Sequence, residues 1–111
     1  FTRKGRPYVL SEYGGYSWNI ENHVWNHKKS FGYIMFRNSK TLSKAYAFLH
    51  KSQIIPLIKL GLSATVYTQV SDVEDETNGL LTYDRQVLKV DQERVAKMSY
   101  RLYRAFHEML R

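Results

Sequence analysis

Glu12 directly follows the short apolar run Tyr8-Val9-Leu10 and the single Ser11, and it is followed by Tyr13 and the glycine pair Gly14-Gly15. A lone carboxylate is costly to desolvate, so one set at the rim of an apolar core is either paired or used. Two readings stand at this point: a reactive carboxylate at a strand end, and a surface group paired with Arg3, Lys4 or Arg6. The other notable acids, Asp72, Glu74, Asp75 and Glu76, lie in one stretch. Asp72, Glu74, Glu76 and Asn78 alternate as calcium ligands do, but Thr77 stands at the sixth position, where such a loop needs glycine. That stretch reads as solvated, or as paired with bases such as Arg85. His23, His27, His50 and His107 show no metal spacing, and cysteine is absent, which removes disulfides and thiolate chemistry. No metal or other cofactor is expected. Tyr13, Tyr16, Trp18, Trp25 and Tyr67 crowd the two polar stretches; such rings stack on the C–H faces of sugars and serve equally well as core.

These residues need elements to hold them. Tyr8, Val9 and Leu10 read as a buried strand, with Pro7 at the position that can lack a ladder N–H. Residues 13–38 carry Gly, Asn, Ser, His and aromatics without a sustained repeat, a long loop of the functional or covering kind. A helix is expected from Ser39 or Thr41, with Ser39 as its cap and Leu42, Ala45, Tyr46 and Leu49 on one face. Pro56 must kink or interrupt it, and Gly61 ends it. Residues 62–70 are β-branched and aromatic and read as a second strand. After the acidic stretch, Asn78-Gly79 marks a turn, and residues 80–83 form a brief extended piece. Asp91 caps a last helix over about 91–111, whose apolar face is Val95, Met98, Leu102, Phe106 and Met109. Strand, loop, helix, strand, loop, helix is the order of a parallel α/β sheet. On that topology Glu12 and the start of the acidic loop emerge at one C-terminal edge, and Glu12, Tyr67, Gln69 and Asp72 would face a common hollow. Two parallel strands cannot bury themselves, so the chain reads as incomplete.

With 111 residues, 43% hydrophobic and 14% aromatic, the chain suits one small folded domain. No apolar run approaches the roughly 18 residues that span a bilayer, and no leader pattern is visible. Beginning with Phe1, the sequence reads as a processed product or a piece of a longer polypeptide, and the compartment stays open. The formal charge of +7 is uneven: residues 1–60 carry ten Lys or Arg against two acids, and residues 61–111 seven against eight. Only Arg3-Lys4-Gly5-Arg6 forms a cluster, so the charge reads as solvated surface, with neither nucleic acid nor membrane as partner.

Two segments together are specific. SEYGGY at residues 11–16 and GLSATVYTQVSDVEDETNGLLTYDRQVLK at residues 61–89 closely resemble the C-terminal part of the catalytic domain of glycoside hydrolase family 2, the β-galactosidases, β-glucuronidases and β-mannosidases. Through roughly residues 7–90, the resemblance implies an α/β fold that is the C-terminal fragment of a (β/α)8 TIM barrel. The chain would hold about the last two βα units, strands seven and eight with their helices, as a single partial domain over residues 1–111. It implies that Glu12 is the nucleophile of a retaining β-glycosidase, in which two carboxyl groups stand roughly 5–5.5 Å apart. The family's acid/base glutamate follows an asparagine, and no Asn-Glu pair occurs here. The isolated chain is therefore expected to be inactive and to need the remainder of the parent barrel. Glucuronide-cleaving members carry Asn-x-Lys where this chain has Glu76-Thr77-Asn78-Gly79, which favours neutral sugars, a β-galactoside first. Tyr67 stands where many members place a stacking tryptophan; Tyr13 and Trp18 are further candidates for substrate contact. The expected partner is a β-glycoside or oligosaccharide, with self-association of the fragment through uncovered edges. The alternative is a non-catalytic carbohydrate-binding or structural module.

Overall fold

The computed structural model describes residues 7–110. The basic cluster at residues 3–6, and any pairing of Glu12 with it, lies outside them. Strand β1 (Tyr8–Gly14) pairs in parallel with β4 (Leu62–Thr68), and the connection between them is the long loop followed by a helical stretch. The helices are α1 (Ser39–Leu49), a π-helical turn at His50–Ile54 and α2 (Ile55–Lys59). Helix α3 (Gln92–Met109) closes the chain. Within the long loop, β2 (Tyr16–Ser17) and β3 (Ile34–Met35) form a second, minimal parallel pair.

Local chemistry accounts for the boundaries. Asn38, rather than Ser39, caps α1, its side chain accepting from Thr41 N at 2.9 Å. Pro56 has no N–H to offer the carbonyl of Ser52, and the turn before it is π-helical, with Ile55 N donating to His50 O five residues back. Gly61 then ends the helix at φ +115°, a conformation that side chains strongly disfavour. Asp91 accepts from Glu93 N and Arg94 N and starts α3. The N–H of Asp91 in turn donates to Ser43 Oγ at 2.9 Å and ties α3 to α1.

Helices cover one face of the β1–β4 pair. The core joins Ile54, Ile58, Leu62 and Ala105, with Tyr8, Leu10, Tyr13, Leu102 and Phe106 packed against it. The other face is open: Val9 is 55% exposed and Val66 is 54% exposed. The architecture is mixed α/β, but the expectation of a (β/α)8 barrel fragment fails. Each sheet among the described residues has only two strands, and the second is made by the long loop pairing with itself rather than by a further βα unit. A strand–helix–strand pattern specifies a parallel pair with a helical crossover; it carries no information on how many strands stand beside that pair.

Ile54 is 2% exposed at the centre of this core. Ile54→Ala is expected to lower the unfolding free energy by about 2–5 kcal/mol, read as a lower urea midpoint at unchanged slope.

Candidate functional site

The sequence-nominated residues gather where β1 and β4 end, but on different faces. The ladder runs Leu10↔Thr65, then Tyr13↔Tyr67, so Ser11 and Glu12 together oppose Val66 in a bulge. Tyr13 and Tyr67 meet on the helix side with ring centroids 5.4 Å apart, edge to face. Glu12 and Val66, one residue earlier on each strand, project from the open face. Glu12 is exposed and makes no ion pair among the described residues. A bulge is a common device for re-aiming a side chain beside a reactive site.

Both glycines after Glu12 are explained by close approach. A Cβ on Gly14 would stand 2.8 Å from Thr68 O and 2.9 Å from the Tyr67 ring, and one on Gly15 would stand 2.5 Å from the ring of Tyr33. Their φ values, +115° and +85°, also favour glycine. Gly15 N donates to Thr68 O at 3.2 Å, and its own carbonyl accepts from Tyr33 N and Ile34 N at 3.1 and 3.3 Å. The strand end is thus clamped from both sides.

Beneath the sheet, Tyr13, Tyr46, His50 and Tyr67 form one aromatic cluster. His50 is fully buried, and its Nδ1 lies 2.8 Å from the Tyr46 carbonyl, which can only accept. The proton therefore sits on Nδ1, and Nε2 accepts from the Tyr13 hydroxyl at 2.7 Å. Burial holds the imidazole below its ordinary value, and pushes the Tyr46 phenol up to about 12 and Tyr67 higher still. The Tyr67 hydroxyl is buried with no hydrogen-bond partner among the described residues. Trp18, just after β2, is half-buried.

The loop beyond β4, which leaves that strand through a cis Thr68–Gln69 peptide bond, is built on a buried ion pair. Lys89 Nζ donates to Asp72 Oδ1 at 2.8 Å and to Thr77 O at 3.0 Å, and Gly79 N donates to the same Asp72 oxygen at 2.9 Å. Burial raises the Asp72 carboxyl and lowers the Lys89 ammonium, each opposed by the other's charge. Asp72 is therefore committed to the loop interior. Gln69 is committed as well, its side chain donating to Asn78 Oδ1 at 3.3 Å. The expected hollow shared by Glu12, Tyr67, Gln69 and Asp72 does not form. Among the described residues no group of three or more His, Asp or Glu side chains is placed to hold a metal ion.

Of the exposed aromatic residues, sequence reasoning noted Trp25 and missed Phe31, Tyr33 and Tyr83. Tyr33 and Phe31 stand edge to face at 5.2 Å, and Trp25 and Tyr83 at 5.6 Å. The latter pair is flanked by His23 Nδ1 and Asp84 Oδ2 at 2.7 Å. Thr82 and His23 together draw the Asp84 carboxyl down to about 2. No periodicity marks these residues; the one usable signal was Gly15, whose missing side chain makes room for Tyr33. A scan against protein-family models finds no matching family, and a search of curated proteins finds no match.

Lys89→Met leaves the Asp72 carboxylate buried without its counter-charge and is expected to destabilise the fold by about 3–5 kcal/mol. Combining it with Asp72→Leu is expected to recover most of the loss, measured by chemical denaturation as a double-mutant cycle. His50 gives a pH signature. Its folded value lies below the ordinary 6.5, so its contribution to stability is complete above 6.5 and declines as pH falls toward the folded value. His50→Gln is expected to flatten that part of the stability–pH curve.

Proposed function

We propose that this chain contributes the nucleophile of a retaining β-glycosidase acting on terminal, neutral β-linked sugars, with a β-galactoside favoured and Glu12 as the nucleophile. The observation that carries the reading is the state of Glu12 within the SEYGGY motif. It is a solvent-facing carboxylate with no ion pair among the described residues, on a strand whose end is locked by Gly14 and Gly15. A nucleophile needs that combination of free lone pairs and a fixed backbone.

In the proposed reaction a Glu12 oxygen attacks the anomeric carbon while the bond to the leaving oxygen breaks. That oxygen takes a proton from a second carboxyl group, which then removes a proton from the water that frees the sugar. The chain carries no Asn-Glu pair, and Asp72 is sealed by Lys89. The second carboxyl group is thus supplied from outside these 111 residues, and the chain alone is inert. Glu76 near Asn78 favours an uncharged sugar over a uronic acid. Trp18, half-buried beside β2, is the wall candidate; Tyr67 and Tyr13 pack against each other on the helix side, opposite Glu12, and act from below as anchors of the two strand ends.

A second reading, a non-catalytic carbohydrate-binding module, is favoured by the exposed rings of Trp25, Phe31, Tyr33 and Tyr83. One experiment separates the two. The protein carrying this chain, at its full natural length, is treated with a panel of 2-deoxy-2-fluoro β-glycosides and mapped by peptide mass spectrometry. A sugar adduct on Glu12, together with a loss of roughly 10³-fold or more in kcat for Glu12→Ala, is the expected result. Sugar binding without an adduct, and with Glu12→Ala unchanged, would hand the assignment to the binding module.

A further inference from the structure

Tyr33 is 72% exposed, yet both its ring and its backbone make specific contacts. Its ring lies across Gly15, where a Cβ would stand 2.5 Å from Tyr33 Cδ2 and 3.1 Å from Cγ. Its backbone N–H and that of Ile34 both donate to Gly15 O, and Phe36 N donates to Ser17 O at 2.6 Å. Phe31 braces the ring edge-on at 5.2 Å, and Phe31 is itself fixed across the chain. Phe31 N donates to Asp75 O at 2.5 Å, and Thr77 N donates to Phe31 O at 2.7 Å. A large ring that is already braced by its neighbours and still faces water loses less conformational freedom when something stacks on it than an unbraced one.

Place and chemistry indicate what stacks there. Gly15 is three residues beyond Glu12, just past the end of β1, so the backbones of the two residues lie within about 11 Å of each other, and the Tyr33 ring rests against Gly15. A tyrosine face offers an apolar, electron-rich surface to the C–H groups of a pyranose, and its hydroxyl edge can meet sugar hydroxyls. We infer that Tyr33, braced by Phe31, is a stacking wall for the sugar bound at Glu12, a contact distinct from Tyr67, Tyr13 and Trp18. The inference rests on the glycosidase reading and adds to it the residue that sets substrate affinity. Tyr33 touches sugar through its ring face and takes no part in bond making.

The test uses the full-length protein and p-nitrophenyl β-galactoside, with 2-deoxy-2-fluoro-β-galactosyl fluoride as the label. Tyr33→Ala is expected to raise KM about tenfold with kcat within about twofold, and Tyr33→Trp to stay near the parent value. Tyr33→Leu keeps bulk over Gly15 and loses the aromatic face; it is expected to behave as Tyr33→Ala does while unfolding at the parent temperature. An unchanged KM in Tyr33→Leu, with Glu12 still labelled, overturns the wall and leaves the nucleophile standing. No label on Glu12, and no galactoside bound by Glu12→Gln in equilibrium dialysis, overturns both.

Discussion

The ammonium of Lys89 organises the loop beyond β4 and, through it, the contacts of the long loop. It reaches through the loop interior to Asp72 and to the carbonyl of Thr77, and so fixes the segment around residues 75–77. That segment offers backbone partners to Phe31, Phe31 braces Tyr33, and Tyr33 lies across Gly15 at the end of β1. A charge pair taken wholly out of water is a poor source of net stability, because desolvation offsets most of the attraction. Its value here is geometric: an ammonium has three donors to place, and the arrangement that places them fixes the loop.

The β1–β4 pair divides the work between two faces. On the helix side, an aromatic cluster with a single internal histidine anchors Tyr13, and through it the bulge that carries Glu12. On the open side stand Glu12 and small or branched apolar residues, with few directed interactions. Rigidity below and freedom above is the distribution that the proposed role of Glu12 would require, since a partner on the open face would compete for its lone pairs.

Legibility followed from how local each signal was. Strands β1 and β4 and helix α3 were readable because short-range patterning and capping, as at Asp91, specify them within a few residues. The end of the second helix at Gly61 was readable for the same reason. The barrel expectation went wrong because it rested on a motif resemblance, and nothing in the residues states how many strands complete a sheet. Asn38 displaced Ser39 as a cap by one position, well within what similar polar side chains allow. Least visible were the contacts of long sequence separation: Lys89 with Asp72, Phe31 with Thr77, Tyr13 with His50. The acidic stretch looked solvated, and its first acid turned out to be the most buried of them, because burial there is decided by a lysine 17 residues away. Of the candidate site, the strand end that carries Glu12 and its two glycines was legible, whereas the face on which each ring lies depends on contacts far apart in the sequence, such as Tyr13 with His50.

The loop over residues 18–38 is long but has little slack. Its start and end are stitched to β2, His23 is held by Asp84, and Phe31 is held by the 75–77 segment. Asn19, before His23, reaches forward to Ser30. Trp25 leans edge-on against Tyr83, so among the described residues only 26–29 lie between tethers, and His27, Lys28 and Lys29 there are exposed. Lineage-to-lineage length change, and a first nick by a trypsin-like protease, both belong in that short span. A break there would leave each tether attached to its own partner, so the two halves of the loop would stay in place after the chain between them was cut.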